Sequence, residues 1–438
     1  MSLSASGKPR ICLALPGVNY TPHSPYVRST LPMVPYLEKD FEVTLLYRKI
    51  LDIHAANHME HQYLTLLGKA ADQPAEQRNR HPYYSPHHYP ALWQYQSTIQ
   101  AFAQQHADRF DLVFEKEWPW LGAVSSAFRS WGVPTVMLIE AWYTRKPPSP
   151  HKHHIKRLLS IGLQDYRWQK RQVWAQDVNS LVVETDEMRE VLLEAGYVKD
   201  DMPITPIPYG VDEEIFALRD RNQCRQALGI AEDAYVLTYV GSMNRFIQEP
   251  GPIIEALGQC QQRQNLVLYM VGDGSKQGEL ETLAQRFKAP VVFTGRLPQE
   301  KAAQYVSAAN LCIAPYNKDL YWGGKFTCAS LKVPEYFSCG RLVLTVSCER
   351  MEFLTDHEKY GFLVENTVEG YAQFLAHLPS PENLALKEKV LVEDAQLGIL
   401  KQKNILLRWS DIGDAYRQVF NEILNRQKSL QSGSLLVS

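Results

Sequence analysis

The sequence predicts an α/β protein of two doubly wound, parallel-sheet domains, and three observations carry that prediction. At 438 residues the chain exceeds what one ordinary hydrophobic core holds, so two domains are expected. Apolar runs of strand length alternate with amphipathic stretches in two tandem sets. Between the sets lies Pro206-Ile207-Pro208-Tyr209-Gly210-Val211-Asp212, a proline-punctuated segment of the kind that joins domains.

In the first set the expected strands are 10–15, 42–47, 112–114, 135–140, 180–184 and 204–207. In the second they are 236–241, 266–271, 291–294, 311–314, 342–346 and 361–364. Continuous apolar runs, rather than alternating ones, signal strands buried on both faces, hence parallel sheets covered by helices. Two Rossmann-like domains, 1–205 and 206–404, then face each other across a cleft. Beyond about Ser380 the chain is helical and polar, and residues 427–438 are expected to form a disordered tail.

Composition narrows the function. Apolar residues make up 45% and charged residues 21% of the chain, the balance of a soluble globular protein. A net charge of −2 gives no basis for bulk nucleic-acid binding. The longest apolar runs, 136–139 and 266–271, fall far short of a membrane span. The first of the apolar runs, 11–15, stops at Pro16-Gly17 and makes no signal-peptide core. Seven cysteines stand singly, with no Cys-x-x-Cys, which suits reduced thiols in a cytoplasm. Six of the thirteen histidines lie between His54 and His88, and His54, His58 and His61 would share one helical face. No cysteine or acidic ligand set accompanies them at a familiar spacing, so no metal site is expected. The segment 54–88 reads as a mobile, His-rich, aromatic insertion that contacts an acceptor.

The most informative stretch runs from Gly323-Gly324-Lys325 to Gly340. Pro334 has no N–H and fits only the first turn of a helix, which therefore opens near Leu331 or Lys332. Gly340 ends it, just before the strand 342–346. A helix start facing a glycine loop offers unpaired N–H groups and partial positive charge, which suit a phosphate. Glu335 stands in the first turn, where it can take polar groups beside that phosphate, such as ribose hydroxyls. A sugar nucleotide has both parts.

Leu331-Lys332-Val333-Pro334-Glu335-Tyr336-Phe337-Ser338-Cys339-Gly340, followed by Leu342-Val343, also resembles a known signature. It is similar to the donor site of the family-four retaining glycosyltransferases of the GT-B fold (glycosyl transferases group 1). One branch reads Ser-Pro-Leu-Lys-x-x-Glu-Tyr-Met-Ala-x-Gly-x-Pro-Val; Leu331, Lys332, Glu335, Tyr336 and Gly340 match it. Ala329-Ser330 stands where Ser-Pro would be. The wider pattern, Glu-x7-Glu, would place a first glutamate at 327, where this chain has Thr327. The junction 206–212 resembles the family's Ile-Pro-Asn-Gly-Val-Asp, with Tyr209 in place of Asn and Phe216 following. Gly272-Asp273-Gly274, Thr294-Gly295-Arg296-Leu297 and Ala314-Pro315-Tyr316 follow in family order. Trp409 and the residues 416–424 resemble the terminal helix, about 405–426, that in this fold returns to the first domain.

The resemblance implies a metal-independent transferase that moves a hexose-like sugar from a nucleotide diphosphate to an acceptor hydroxyl with retention. It implies no cofactor, since the nucleotide sugar is a substrate. The leaving diphosphate would meet helix-end N–H groups and cations, here Arg245 and Lys332 with Lys325, while Glu335 takes the ribose. Donor contacts would also come from Gly17, Gly241, Gly272, Gly274 and Leu331, and from the backbone of Arg296 and Leu297 beside the base. Arg245 is the only cation close after Gly241, because Ile247-Gln248 stands where the family has Lys-Gly. Gly17 lies in Leu15-Pro16-Gly17-Val18, read as a stiff loop after the first strand. Glu140 stands where many relatives carry a histidine and is a candidate for acceptor hydroxyls. Glu140 and Arg296 read equally well as structural residues. The basic and aromatic stretch 145–171, which includes Arg167 and Arg171, suits peripheral contact with anionic lipid, a phosphorylated acceptor, or a solvated helix face. Two other classes stay open: a non-catalytic nucleotide- or sugar-binding protein, favoured by Thr327, and another GT-B activity such as a nucleotide-sugar epimerase.

Overall fold

The computed structural model describes residues 7–20, 29–50, 61–66, 89–118, 120–140, 154–243, 247–260, 265–321 and 324–434. The chain divides into two compact units. One comprises Met1–Pro208, Thr327–Ala329 and Ser410–Ser438; the other comprises Tyr209–Phe326 and Ser330–Trp409.

The first unit holds seven parallel strands: β1 (Arg10–Tyr20), β2 (Glu42–Ile50), β3 (Gln62–Thr65), β4 (Leu112–Glu115), β5 (Thr135–Ile139), β6 (Ser180–Val183) and β7 (Ile204–Pro206). Their order across the sheet is β3-β2-β1-β4-β5-β6-β7, which reverses direction between β1 and β4. The second unit holds β8 (Tyr235–Val240), β9 (Leu266–Val271), β10 (Val291–Gly295), β11 (Leu311–Ala314), β12 (Val343–Val346) and β13 (Gly361–Val364), ordered β10-β9-β8-β11-β12-β13. Its reversal falls between β8 and β11. Such switch points open a crevice beyond the carboxyl ends of the strands, where doubly wound sheets bind ligands. Strands β4, β5, β6, β11 and β12 are buried along their whole length, as uninterrupted apolar runs require.

Every strand expected from sequence forms, and β3 is an addition. It lies inside the segment read as a mobile His-rich insertion and pairs Tyr63 with Leu45 and Leu64 with Leu46. The short run Tyr63-Leu64-Thr65 has strand character that the surrounding histidines obscured. His61 faces Glu38, with Nδ1 and Oε1 3.0 Å apart; His54 and His58 lie outside the described residues.

The stretch 15–18 also departs from expectation. It is not a loop: β1 continues through Gly17 to Tyr20, with a register shift between Leu15 and Asn19 before pairing with β2 resumes. Proline at 16 offers no ladder N–H, which accounts for an irregularity here without ending the strand.

The terminal helix, Trp409–Ser434, packs in the first unit. Tyr416 and Phe420 set their rings 5.3 and 5.8 Å from Phe114, and Arg417 bonds Asp40 at 2.8 Å. Gly413 is needed there, because a Cβ would lie 2.4 Å from the Cβ of Tyr36. The helix extends to Ser434, so residues 427–434, expected to be part of a disordered tail, continue it. Long helix-favouring side chains such as Arg426, Gln427 and Lys428 explain the extension.

Candidate functional site

The carboxyl edge of the second sheet is built from closely stacked glycines. Gly241 follows β8 and donates its N–H to Val271 O at 2.9 Å; Gly272 follows β9 and donates to Gly295 O at 3.0 Å. A Cβ on Gly272 would sit 2.0 Å from Gly241 O, so only glycine lets the two backbones meet. Around Gly241 three polar ends converge. A Cβ there would lie 2.9 Å from Tyr239 Oη, 3.1 Å from Lys332 Nζ and 3.2 Å from Gln248 Oε1. Gln248 is hydrogen-bonded to Tyr239, and its segment is pinned to the end of β11 by Glu249 N–H to Pro315 O and Asn317 N–H to Ile247 O, both 2.8 Å.

Lys332 is the first residue of the helix Lys332–Ser338. Ser330 accepts from Val333 N at 3.1 Å and bonds the Tyr316 hydroxyl at 2.6 Å, which fixes the start of the helix. One turn on, the fully buried Tyr336 spans the switch point. Its hydroxyl accepts from Val240 N at 3.1 Å and donates to Ile313 O at 3.3 Å. Residues four apart share a helix face, so the same anchoring carries Lys332 to the ends of β8 and β11. There its ammonium sits 5.2 Å from the Tyr239 ring centre and 5.3 Å from that of Tyr316, within cation–π range.

The side chain is 7% exposed and, among the described residues, its ammonium has no hydrogen-bond acceptor and no carboxylate within salt-bridge distance. Burial lowers its pKa to about 7, with Glu335 pulling the other way. An unpaired buried cation is costly.

The other expected donor residues fall as follows. Glu335 is half-buried in the first turn, close enough to Lys332 for charge interaction. Leu331 is 38% exposed at the N-cap, and Lys325 is half-buried after Gly324, whose φ of 73° is left-handed. Gly274 sits in the turn before the helix Gln277–Phe287. Arg296 pairs with Asp273 at 3.1 Å in the open, with side chains 64% and 42% exposed, and Leu297 next to it is half-buried. Arg245 lies outside the described residues. Sequence reasoning missed Tyr239 and Gln248, whose role shows only once the strands are side by side.

The first unit treats charge differently. Gly17 is accounted for by packing, since a Cβ would lie 2.8 Å from the Cβ of Trp118. Glu115, at the end of β4, is fully buried and accepts from Trp118 Nε1 at 2.7 Å, Gly122 N at 2.9 Å and Ser125 N at 2.7 Å. It caps the helix Ala123–Arg129; burial raises its pKa against those three donors. Lys116 bonds Glu140 Oε1 at 2.9 Å and Ser29 Oγ at 2.8 Å, so Glu140 ends β5 as half of an ion pair. Arg171 reaches both oxygens of Glu117 at 2.7 and 2.9 Å. It therefore belongs to the fold and not to a solvated basic face, a pairing across 54 residues of sequence that no local pattern announces.

At the end of β6, Glu184 is 4% exposed and accepts from Ala329 N at 2.7 Å, and Thr185 donates to Thr327 O at 2.9 Å. Its position directly after the apolar run Leu181-Val182-Val183 was the signal that could have found Glu184. Among the described residues no group of three or more His, Cys, Asp or Glu is placed to hold a metal ion, and no helix is long and apolar enough to cross a membrane.

Residues 234–380 match the family model for glycosyl transferases group 1. The D-inositol 3-phosphate glycosyltransferases of Nocardiopsis dassonvillei and Kribbella flavida are each 27% identical, over 236 and 231 residues, covering 50% and 49% of this chain and 52% of each relative. The chain thus aligns with about half the length of these relatives. Among solved structures, sucrose-phosphate synthase from Thermosynechococcus elongatus superposes with a TM-score of 0.67 at 17% identity, covering 96% of this chain and all of that one. Anabaena Alr3699/HepE in complex with UDP gives 0.65 at 16% identity, covering 94% and 100%. WaaG, a glycosyltransferase of lipopolysaccharide biosynthesis, gives 0.63 at 16%, covering 93% and 99%. The chain therefore has the GT-B fold of two Rossmann-like domains, and the match to the glycosyl transferases group 1 model falls, apart from residues 327–329, within its second unit.

Proposed function

We propose that the chain is a glycosyltransferase that takes a nucleotide-diphosphate sugar as donor and transfers the sugar to an acceptor hydroxyl. The observation that carries this reading is the buried ammonium of Lys332 at the β8/β11 switch point, which among the described residues has ring faces beside it and no hydrogen-bond acceptor. A diphosphate supplies the missing counter-charge, and a cation waiting in a dry site stabilises the leaving group more strongly than one in water. Arg245 and Lys325 are assigned to the same phosphates, Glu335 to the ribose, and the backbone of Arg296 and Leu297 to the base. The names of the relatives, and the UDP and UDP-glucose bound in HepE, support this donor class.

Retention of anomeric configuration and independence from metal extend the proposal, supported by the likeness of 331–340 to the retaining family. Glu140, at the carboxyl edge of the first unit, is assigned to acceptor hydroxyls. The free cysteines suit a cytoplasmic setting, and the basic residues of 145–171 other than Arg171 suit peripheral contact with anionic lipid. Vesicles containing phosphatidylserine that fail to retain the protein at low salt would remove that last element.

The test is a thermal-shift series with UDP, GDP and ADP, because a ligand that binds only the folded state must raise its melting point. One diphosphate should raise it, and Lys332→Met should abolish the rise. No shift with any of the three would overturn the reading. Slow donor hydrolysis with retained anomer, unaffected by EDTA, separates the transferase from a non-catalytic binder.

A further inference from the structure

Two tyrosines of the second unit bring ring faces to the Lys332 ammonium, and each is fixed through its own hydroxyl. Tyr239, on β8, is 1% exposed; its hydroxyl lies 3.0 Å from Ser242 O and bonds Gln248 Oε1. Tyr316, just after β11, is 4% exposed. Its hydroxyl bonds Ser330 Oγ at 2.6 Å, the same oxygen that accepts from Val333 N. Tyr316 is held further by a backbone bridge to Gln248 and by the Phe326 ring, centred 4.7 Å from its own. Both hydroxyls are thus engaged with the framework. What the two residues turn to the ammonium is π surface, with ring centres 5.2 and 5.3 Å away.

A carboxylate in their place would keep the lysine charged but would also neutralise it, and an incoming diphosphate would have to displace that partner. A ring face attracts a cation through its quadrupole, carries no net charge, and attracts more strongly as water is excluded. It therefore offsets part of the desolvation that drives a buried lysine toward its neutral form, and leaves the positive charge to an anion. The titratable groups gathered at this corner are Glu335 and Tyr336 on the lysine's own helix, Tyr239 from β8, and Tyr316. Burial pushes the Tyr239 and Tyr336 hydroxyls well above their ordinary range. Lys332, drawn down to about 7 by burial, titrates near neutrality.

We propose that Tyr239 and Tyr316 are positioning residues for the donor diphosphate, whose ring faces keep the Lys332 ammonium protonated, without neutralising it, for the nucleotide to meet. The inference rests on the reading of Lys332 as the diphosphate ligand. The lysine, both rings and the groups that tether them all belong to the second unit.

The test is isothermal titration of the full chain at pH 6 and pH 8.5 with whichever of UDP, GDP and ADP binds the parent. Tyr316→Leu removes one ring, so less of Lys332 is protonated at the higher pH. Its affinity relative to the parent should fall about tenfold at pH 8.5 for each unit by which the lysine pKa drops, and stay within about threefold at pH 6. Comparing variant with parent at each pH cancels any protonation of the nucleotide itself. An equal loss at both pH values would mean that the ring only shapes the site, and no loss at either that it is idle; each overturns the proposal. Tyr316→Phe keeps the ring, gives up the bond to Ser330, and should stay within about threefold of the parent at both pH values. If it loses affinity as Tyr316→Leu does, the hydroxyl and not the ring is at work, and the proposal falls. Should Tyr316→Leu not fold, a phenylalanine fluorinated around its edge is placed at 316 instead. It keeps the volume but draws negative charge from the ring face, and must show the same pH-dependent loss relative to Tyr316→Phe; without that loss the proposal falls. A parent that binds none of the three nucleotides, or whose affinity Lys332→Met leaves intact, removes the reading of Lys332 and this inference together. A parent that needs Lys332, with a Tyr316→Leu loss that ignores pH, removes only this one.

Discussion

The two units share one topology and treat charge at their sheet edges in opposite ways. In the second unit Lys332 is buried with ring faces beside it and no acceptor among the described residues. In the first, Glu115 is answered by three N–H donors, Lys116 by Glu140, and Arg171 by Glu117. On the proposed function, the difference separates a cation kept for a charged ligand from charges paired within the fold. A paired group contributes to stability and loses it when its partner goes. An unpaired one costs stability and recovers that cost only when a ligand arrives.

The largest effect should come from Lys332→Met, which keeps the volume and removes the charge. Nucleoside diphosphate affinity should fall about a hundredfold, about 2.7 kcal/mol, as titration would read. The same variant should melt a few degrees higher than the parent without ligand, on the order of 1 kcal/mol, because a desolvated cation has gone. Glu115→Ala should behave in the opposite sense. It strands three buried N–H groups and should destabilise the chain by about 3 kcal/mol or more in urea denaturation, while the thermal shift from nucleotide survives. If both variants lost stability alike, the contrast between the units would fail.

A smaller effect should follow pH. Free Lys332 has a pKa of about 7, below its ordinary value, and diphosphate raises it again. Above pH 7 binding must therefore take up a proton, and affinity should fall by at most about tenfold per pH unit. Titration in two buffers of different ionisation heat reads that proton directly. Without ligand the sign is reversed: the unfolded chain holds this proton up to its higher pKa, so stability should rise with pH above about 7. Flat nucleotide affinity from pH 7 to 9 would mean that Lys332 is not the group that meets the anion. The smallest effect belongs to Arg296→Ala. Its pairing with Asp273 is largely solvent-exposed, and such pairs contribute little. Nucleotide affinity should change by less than about twofold if only the backbone there meets the base.

Much of this contrast was legible in part. The strands followed from continuous apolar runs, and the helix Lys332–Ser338 from Pro334 and Gly340, since both signals are local. Lys332 stood out as a cation at a helix start. That Glu115 would cap a helix and Glu117 would be matched by Arg171 did not, because the partners come from other elements. Gly17 shows the limit from the other side. Its sequence context suggested a ligand loop, yet the space it leaves is taken by Trp118. The short strand β3 was hidden because histidines around it diluted an otherwise ordinary β pattern.

By itself the sequence determined two doubly wound units, every strand but β3, and the turn that brings Lys332 to a sheet edge. Hydrophobic period, proline and glycine act over a few residues, and each can be read where it stands. The tertiary structure alone decided which of the charged groups would be answered. Desolvation and pairing depend on groups that fold together from far apart in the chain, and the balance between them left Lys332 buried with no acceptor among the described residues.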